Sequence, residues 1–211
     1  MKTIKPFFFA TASLLLCGRG FCQVTTYDNF EGNKYVCYPS NSVSLDTLTK
    51  NPKPNDVNSS STCAKYKRNP DKKFDNIKMC LPANLADVSA YATYTGTPPK
   101  IKMKIYTSAP PGTLVEILLG SKGHNNEFPA GTHSQYQAYT TKSNQWEEIE
   151  FKFSQIPKGS ETSAAQVDQM TLLFNPNSSS SDVFYFDEIQ GPQLVSTTTT
   201  PVQTTKSEIK K

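Results

Sequence analysis

Short segments in which apolar and polar residues alternate recur along most of this chain and constrain its fold more than any other feature. Lys100–Thr107 places Ile101, Met103 and Ile105 on one side of an extended strand and lysines on the other. Thr113–Leu119 (TLVEILL) is more continuously apolar, as is typical of a central strand. Such segments arrive about every ten to twenty residues without long helical patterns between them. The pattern predicts an all-β fold, a single β-sandwich of the jelly-roll type.

Two segments are candidates for the first and last strands. Tyr27–Gly32 (YDNFEG) opens the patterned region, and Val183–Pro192 (VFYFDEIQGP) closes it with alternating aromatic residues, two carboxylates and a Gly-Pro stop. Because little core-forming sequence follows Pro192, we expect this strand to end the domain and to lie beside the opening strand.

Polar turns between the other patterned segments predict three hairpins. Ser61–Arg68 is expected to pair with Phe74–Leu81, Gln135–Thr141 with Trp146–Phe153, and Val167–Phe174 with the closing strand. The stretch 41–58, rich in Asn, Ser and Pro, shows no apolar period and is predicted to be a long loop.

The length of 211 residues suits one sizeable domain with two tails. We place the domain at 23–194 and predict that 195–211, which is rich in Thr and offers nothing to bury, is a disordered tail or linker. The net charge of +4 arises partly from lysines at the two ends, too weak and scattered for a nucleic-acid interface. We therefore expect no nucleic-acid partner.

Residues 1–22 have the pattern of a secretory signal peptide. Lys2 and Lys5 precede an apolar stretch, Phe7–Cys17, that is too short to span a bilayer, and small residues precede Gln23. The alternative is a lipid anchor on Cys17, although Leu16 stands where a small residue is expected. The pattern predicts export to the cell surface or the extracellular space, with no transmembrane segment in the mature chain.

Removal of residues 1–22 would leave Cys37, Cys63 and Cys80 in an oxidising compartment. In the hairpin predicted from 61 to 81, Cys63 and Cys80 lie at matching distances from the turn. Two interpretations stay open: a disulfide between Cys63 and Cys80, or two small apolar residues in facing strands.

Six motifs in order resemble a known family. They are DNFEG, AKY-x-R, KI-x-MKIY, WE-x-I-x-F, DQM-x-L-x-FNP and a closing aromatic-DEI-x-GP, spread over 27–192. Together they resemble the galactose-binding-like carbohydrate-binding modules of secreted Bacteroidetes proteins. The resemblance implies a jelly roll that binds a polysaccharide without chemically altering it, and a glycoside hydrolase or another cell-surface protein as partner.

The same resemblance implies a structural calcium site at the two end strands. In such modules a Glu of the opening segment and the Asp of the closing strand contribute, which correspond here to Glu31 and Asp187; Asn29 shares the face of Glu31. Calcium prefers several oxygen ligands, including carboxylates. The alternative is that these carboxylates are solvated or accept hydrogen bonds from loop amides.

Sugar binding needs flat apolar faces beside planar polar groups. The sequence offers seven candidates on or beside strands: Tyr66, Arg68, Tyr106, His133, Gln135, Tyr136 and Gln137. Each aromatic residue among them has the alternative of a core or rim position, and Trp146 is predicted to pack in the core.

Catalytic interpretations find less support in the sequence. A polysaccharide lyase would need a proton-abstracting group with a neutralising partner, for which Tyr136 and Arg68 are the candidates. A hydrolase needs two facing carboxylates, but Glu148 and Glu150 alternate with apolar residues on a face that suits solvent. We therefore expect no catalytic residues. The runner-up to glycan binding is a structural or adhesive surface domain.

Overall fold

The computed structural model describes residues 24–39, 44–86, 88–91, 101–124 and 127–195. This part of the chain contains ten β-strands, three short 3-10 helices and no α-helix. The strands are β1 (Thr25–Asp28), β2 (Leu45–Lys50), β3 (Thr62–Lys67), β4 (Asn76–Cys80), β5 (Ile101–Thr107), β6 (Leu114–Gly120), β7 (Thr132–Tyr139), β8 (Glu147–Gln155), β9 (Gln169–Phe174) and β10 (Val183–Gly191). The 3-10 helices are Val88–Tyr91, Lys122–His124 and Ala164–Gln166. The predicted all-β class is confirmed.

All strand pairs are antiparallel, in the order β2-β3-β10-β5-β8-β7-β6-β9-β4, with β1 added beside β10. Strand β8 is the corner of the fold: Glu147–Phe151 pairs with β5, and the following half pairs with β7. A first sheet (β1, β2, β3, β10, β5) and a second sheet (β7, β6, β9, β4) therefore face each other as a single sandwich of the jelly-roll class.

The core lies between the two inner faces. On β5, Ile101, Met103 and Ile105 are buried, as the alternation predicts. Phe174 of the second sheet stacks on Phe184 of the first, with ring centroids 4.8 Å apart. The inner positions carry large apolar side chains, so burial of these faces supplies most of the driving force that holds the sheets together.

The opening and closing strands lie together, as predicted. Thr25 pairs with Gly191 and Thr26 with Gln190, and the hydroxyl of Tyr27 donates to the carbonyl of Pro192. A side chain at Gly191 would meet the Tyr27 hydroxyl at 2.9 Å, which explains why glycine precedes the Pro that ends the strand.

Two of the three predicted hairpins are wrong. Strand β3 pairs with β2 and β10, whereas β4 pairs with β9; likewise β9 pairs with β4 and β6 but not with β10. The polar segments 68–75 and 175–182 are arches that carry the chain from one sheet to the other. The pairing of β7 with β8 is confirmed, and the loop predicted at 41–58 contains strand β2.

These arches also remove the reason for pairing Cys63 with Cys80. Cys63 is buried on β3 of the first sheet, while Cys80 ends β4 of the second. All three described cysteines are free thiols in the structure, and the backbone neighbour of Cys80 is Cys37.

Some predictions fall outside the described residues: the signal peptide at 1–22 with its alternative anchor at Cys17, and the tail from 196 onward. Within the described ranges, no helix is both long enough and apolar enough to cross a membrane.

Candidate functional site

A groove of about 560 Å³ lies on the outer face of the second sheet. Its floor consists of outward-facing residues of the two central strands: Leu114, Glu116 and Leu118 on β6, and Thr171 and Leu173 on β9. Their sequence neighbours face the core, because successive side chains of a strand point to opposite faces. The volume falls in the range of about 300–1,000 Å³ that is common for ligand sites.

Two exposed phenylalanines flank this groove. Phe74 is 63% exposed; it precedes β4 and lies at the Leu114 end of the groove. Phe128 is 60% exposed; it belongs to the connection between β6 and β7 and lies at the Gly120 end. From Leu114 to Gly120 a strand advances about 20 Å at roughly 3.3 Å per residue. The two rings therefore stand at opposite ends of an elongated site.

A polar array lies along one side of the floor. The Glu116 carboxylate, only 8% exposed, accepts through Oε2 from the side-chain amides of Gln135 (2.6 Å) and Gln137 (2.9 Å). The amide of Gln155 donates to Oε1 of Gln135 at 2.7 Å. This chain of bonds fixes the orientation of the carboxylate and of the Gln135 amide plane, so their remaining donors and acceptors have defined directions.

Gln169 adds a second polar group at the Gly120 end of the groove. Its side chain lines the groove and is 2% exposed, yet neither its amide nitrogen nor its amide oxygen has a hydrogen-bond partner within the described part of the chain. Buried polar groups are almost always hydrogen-bonded. A side chain with both a donor and an acceptor unmatched is suited to a ligand that offers both, as a hydroxyl group does.

Gly120 shapes that end of the groove. A Cβ at this position would lie 2.2 Å from the carbonyl oxygen of Gly131, far inside contact distance. The connection that carries Phe128 closes back onto β6 at this point, where Ser121 N–H donates to the same carbonyl at 2.9 Å. Glycine at 120 is thus required for the close approach of the two backbones.

Among the seven residues predicted to contact sugar, the structure brings only Gln135 and Gln137 into the polar array. Tyr136 lies between them on β7 but faces the core, where its ring packs on Phe153 at 5.8 Å, and burial raises its pKa to about 12. The prediction of a ligand-facing Tyr136 is wrong because the amphipathic strand turns its aromatic position inward.

The other four candidates lie away from the groove floor. Tyr66 is buried against Phe174, with its hydroxyl donating to Asp75, and Tyr106 packs between Trp146 and Tyr185 of the first sheet. His133 is buried with its ring nitrogen 2.9 Å from the Ser134 hydroxyl, and burial lowers its pKa. Trp146 is buried, as predicted.

Arg68 is the most informative of the predicted sugar-binding residues that lie away from the groove floor. Its guanidinium is 1% exposed and bonds to backbone carbonyls of both arches: Phe174 (3.1 Å), Ser180 (3.0 Å), Lys72 (2.9 Å), Lys73 (2.6 Å) and, at 3.5 Å, Asn69. The two arches also meet directly, because Asn177 N–H donates to the carbonyl of Lys73 at 2.7 Å. Arg68 therefore supports from inside the segments that present Phe74 and Asn177 to the groove.

The predicted calcium ligands lie on the far side of the fold, around the segment 58–62. Asp187 is fully buried; it accepts from the Asn58 amide (3.0 Å) and from Glu188 N–H (2.8 Å), and burial raises its pKa to about 6 despite these bonds. Glu31 accepts from the hydroxyl of Ser61 at 2.7 Å and from backbone amides there, and these bonds lower its pKa.

Both carboxylates thus bind the same loop, and both oxygens of Asp187 and Oε1 of Glu31 accept protein hydrogen bonds. Asn29 faces its own turn, where Oδ1 accepts from Glu31 N–H and Asn33 N–H. No group of three or more acidic, His or Cys side chains suited to a metal occurs among the described residues. A calcium ion here would need backbone carbonyls of 58–62 in addition to Glu31 and Asp187, and calcium binding stays a prediction.

No family model matches the chain, and no curated protein matches it. Among solved structures, it is similar to a family 11 carbohydrate-binding module of a cellulosomal cellulase of Clostridium thermocellum (17% identity, 80% of this chain and 93% of that one, TM-score 0.48). It is also similar to a family 29 carbohydrate-binding module of Piromyces equi (16%, 80% and 88%, TM-score 0.39) and to an exo-β-agarase (8%, 80% and 25%, TM-score 0.49). At such identities the likeness alone says nothing about what this chain binds.

Sequence reasoning missed Phe74, Phe128, Glu116 and Gln169. One signal was available for Glu116, because it is the lone charged residue inside the apolar strand TLVEILL. A carboxylate there must either be paired in the core or lie on the outer face of the sheet. Phe128 lies outside the patterned segments, and Phe74, which the pattern places at the start of a strand, precedes β4 in the structure.

Proposed function

We propose that this chain is a secreted, non-catalytic module that binds a neutral polysaccharide along the groove of the second sheet. The observation that carries the proposal is the combination of two exposed aromatic rings at the ends of the groove with the ordered array of Glu116, Gln135 and Gln137 between them. Aromatic faces stack on the C–H side of sugar rings, and amide and carboxylate groups bind hydroxyl pairs.

The charge of the lining favours a neutral chain of sugars. The described lining residues include one carboxylate, Glu116, and one ammonium group, Lys78, which balance each other. A polymer of uronic acids or sulfated sugars would need an excess of basic groups to compensate its charge. Hydroxyl-rich neutral sugars match the unpaired amide of Gln169 instead.

The same residues support binding without catalysis. Glycoside hydrolysis requires two carboxyl groups flanking the bond, and Glu116 is the sole carboxylate among the described lining residues. For a lyase, the neutralising candidate Arg68 is buried beneath the arches, and Tyr136 faces the core. Export rests on the pattern of residues 1–22, and a glycoside hydrolase or other surface protein is the proposed partner.

Affinity electrophoresis against neutral and acidic polysaccharides tests the proposal. We expect retention by at least one neutral polymer, weakened about tenfold or more in Phe74→Ala, Phe128→Ala and Glu116→Gln, as for central contacts at other interfaces. Tyr35→Ala is the matched control, because Tyr35 is a 54% exposed aromatic residue that does not line the groove. Absence of retention by every neutral polymer would favour a structural or adhesive domain, and an ultraviolet-absorbing unsaturated product would indicate a lyase.

We propose separately that Glu31 and Asp187 contribute to a structural calcium site together with the segment 58–62. The support is that both carboxylates converge on this one loop. Calcium would then stabilise the folded chain by about 2.7 kcal/mol at a hundredfold excess over Kd, which raises Tm by roughly 5–10 °C over EDTA. Asp187→Ala should abolish that response and Glu148→Ala should retain it. An equal wild-type Tm with calcium and with EDTA would refute the site.

A further inference from the structure

Cys37 and Cys80 face each other in an isolated antiparallel bridge at the outer edge of β4. Cys37 N–H donates to the carbonyl of Cys80 at 3.0 Å, and Cys80 N–H donates to the carbonyl of Cys37 at 2.8 Å. Antiparallel residues that exchange both bonds have Cα atoms about 5.5 Å apart. That separation lies inside the range of roughly 4.4–6.8 Å over which disulfides form.

The side chains are placed for the same reaction. The Cys80 thiol interacts with the Cys37 thiol; burial, followed by this interaction, raises the pKa of Cys80. Cys37 is exposed, so an oxidant in solution can reach its sulfur. Cys63 differs in both respects, because it is fully buried in the first sheet, where burial raises its pKa to about 12.

We propose that Cys37 and Cys80 form a disulfide that joins the segment after β1 to strand β4. The oxidant is a disulfide of the thiol-exchange class, such as oxidised glutathione or a dithiol oxidoreductase. The Cys37 thiolate attacks that disulfide and releases one thiol; the Cys80 thiolate then attacks the Cys37 sulfur and releases the second. Two protein thiols are oxidised, two electrons reduce the oxidant to two thiols, and the protons pass to the products.

Such a bond would add a covalent connection at a place where two backbone hydrogen bonds already join the segment after β1 to β4. The segment that leads to Cys37 begins as β1, which pairs with β10 of the first sheet, whereas β4 is the last strand of the second sheet. The outer edge of β4 has no other strand partner among the described strands. Since Asn76 and Lys78 of β4 line the groove, the disulfide would also fix one wall of it.

Peptide mapping of the full chain tests the bond directly. Of the five cysteines in the sequence, trypsin places Cys37, Cys63 and Cys80 in separate peptides, 35–50, 51–65 and 79–100 in turn, and none of these contains Cys17 or Cys22. After incubation with oxidised glutathione and alkylation without reductant, we expect the linked pair 35–50 with 79–100, which disappears on reduction. The 51–65 peptide should be alkylated only after denaturation. Separate alkylation of Cys37 and Cys80, or a link from either one to another cysteine, would overturn the proposal.

Thermal unfolding provides a second measurement. Because the bond closes a long loop, reductant should lower the wild-type Tm by on the order of 5–10 °C. Cys37→Ser should show the lower Tm without reductant and no further response. Cys63→Ala is the matched control and should keep the full response, whatever its own Tm. A wild-type Tm that reductant leaves unchanged would contradict the proposal, even if the protein binds polysaccharide as proposed.

Discussion

Arg68 offers the sharpest test of how the groove is supported. Its guanidinium donates to carbonyls of two arches that lie more than a hundred residues apart in sequence; Phe174, for example, is 106 positions away. Replacement by lysine keeps the positive charge but concentrates three donors on one nitrogen, whereas the planar guanidinium spreads its donors over three nitrogens. Lysine therefore cannot reach both arches at once.

The expected cost follows from the bonds that lysine loses. A hydrogen bond from a charged donor contributes roughly 1.5–3 kcal/mol. The bond to the Phe174 carbonyl is buried, and those to Ser180, Lys72 and Lys73 are partly buried. Loss of two of the four contacts at 3.1 Å or shorter predicts that Arg68→Lys lowers the free energy of unfolding by about 4 kcal/mol. Denaturation in urea, followed by intrinsic fluorescence, measures this free energy. The exposed neighbour Lys67 is the control, and Lys67→Ala should change it by less than about 0.5 kcal/mol.

The same substitution should weaken binding in protein that is still folded. The arches held by Arg68 carry Phe74 and Asn177, so their loosening misplaces one aromatic end of the groove. A loss below about 1 kcal/mol in Arg68→Lys, with unchanged retention by polysaccharide, would show that Arg68 does not hold the arches.

Two further predictions concern Gly120 and Asp187. Gly120→Ala should lower the free energy of unfolding in urea by about 1–3 kcal/mol and weaken retention by polysaccharide in affinity electrophoresis, because the added methyl group meets the Gly131 carbonyl at 2.2 Å. Gly123→Ala, whose nearest contact is at 3.4 Å, is the control and should leave the free energy of unfolding and the retention unchanged within error. Burial raises the Asp187 pKa from 3.8 to about 6, so its stabilising effect is full below pH 3.8 and is lost as pH rises through 6. In EDTA, Asp187→Asn should therefore gain up to about 3 kcal/mol relative to wild type between pH 4 and pH 8, and equal pH profiles for the two proteins would refute this assignment.

The sequence predicts burial better than it predicts pairing. In β5 the alternation of Ile101, Met103 and Ile105 with lysines corresponds directly to the inner and outer faces, because successive side chains of a strand point to opposite faces of the sheet. The same alternation does not show which other strand pairs with a given strand. A polar turn between two strands suits a hairpin and an arch equally, and the choice at 68–75 depends on the contacts of Arg68 with the distant Phe174 and Ser180.

The site was harder to predict than the fold for a related reason. The sequence offers Gln135 and Gln137 as candidates together with Tyr136, but the segment QYQ does not show by itself which face meets the ligand. The structure settles the matter by burying the aromatic ring, which has the most apolar area to remove from water. The pattern does not show the roles of Phe74 and Phe128, because these depend on where two connections fold back over the sheet.

One consequence of this architecture is that binding and stability are separable in the floor of the groove but coupled at its ends. Each floor residue of β6 is one position from a core residue: Glu116, for instance, lies between Val115 and Ile117. Substitution of an outward side chain leaves the inward ones in place, so variants at the partly exposed floor positions Leu114, Leu118 and Thr171 should change affinity with little change in stability. At the Phe74 end, the aromatic position depends on arches that Arg68 anchors in the core. Variants that loosen the arches must therefore lose affinity and stability together, and this contrast distinguishes a groove supported by the arches from one that the sheet forms alone.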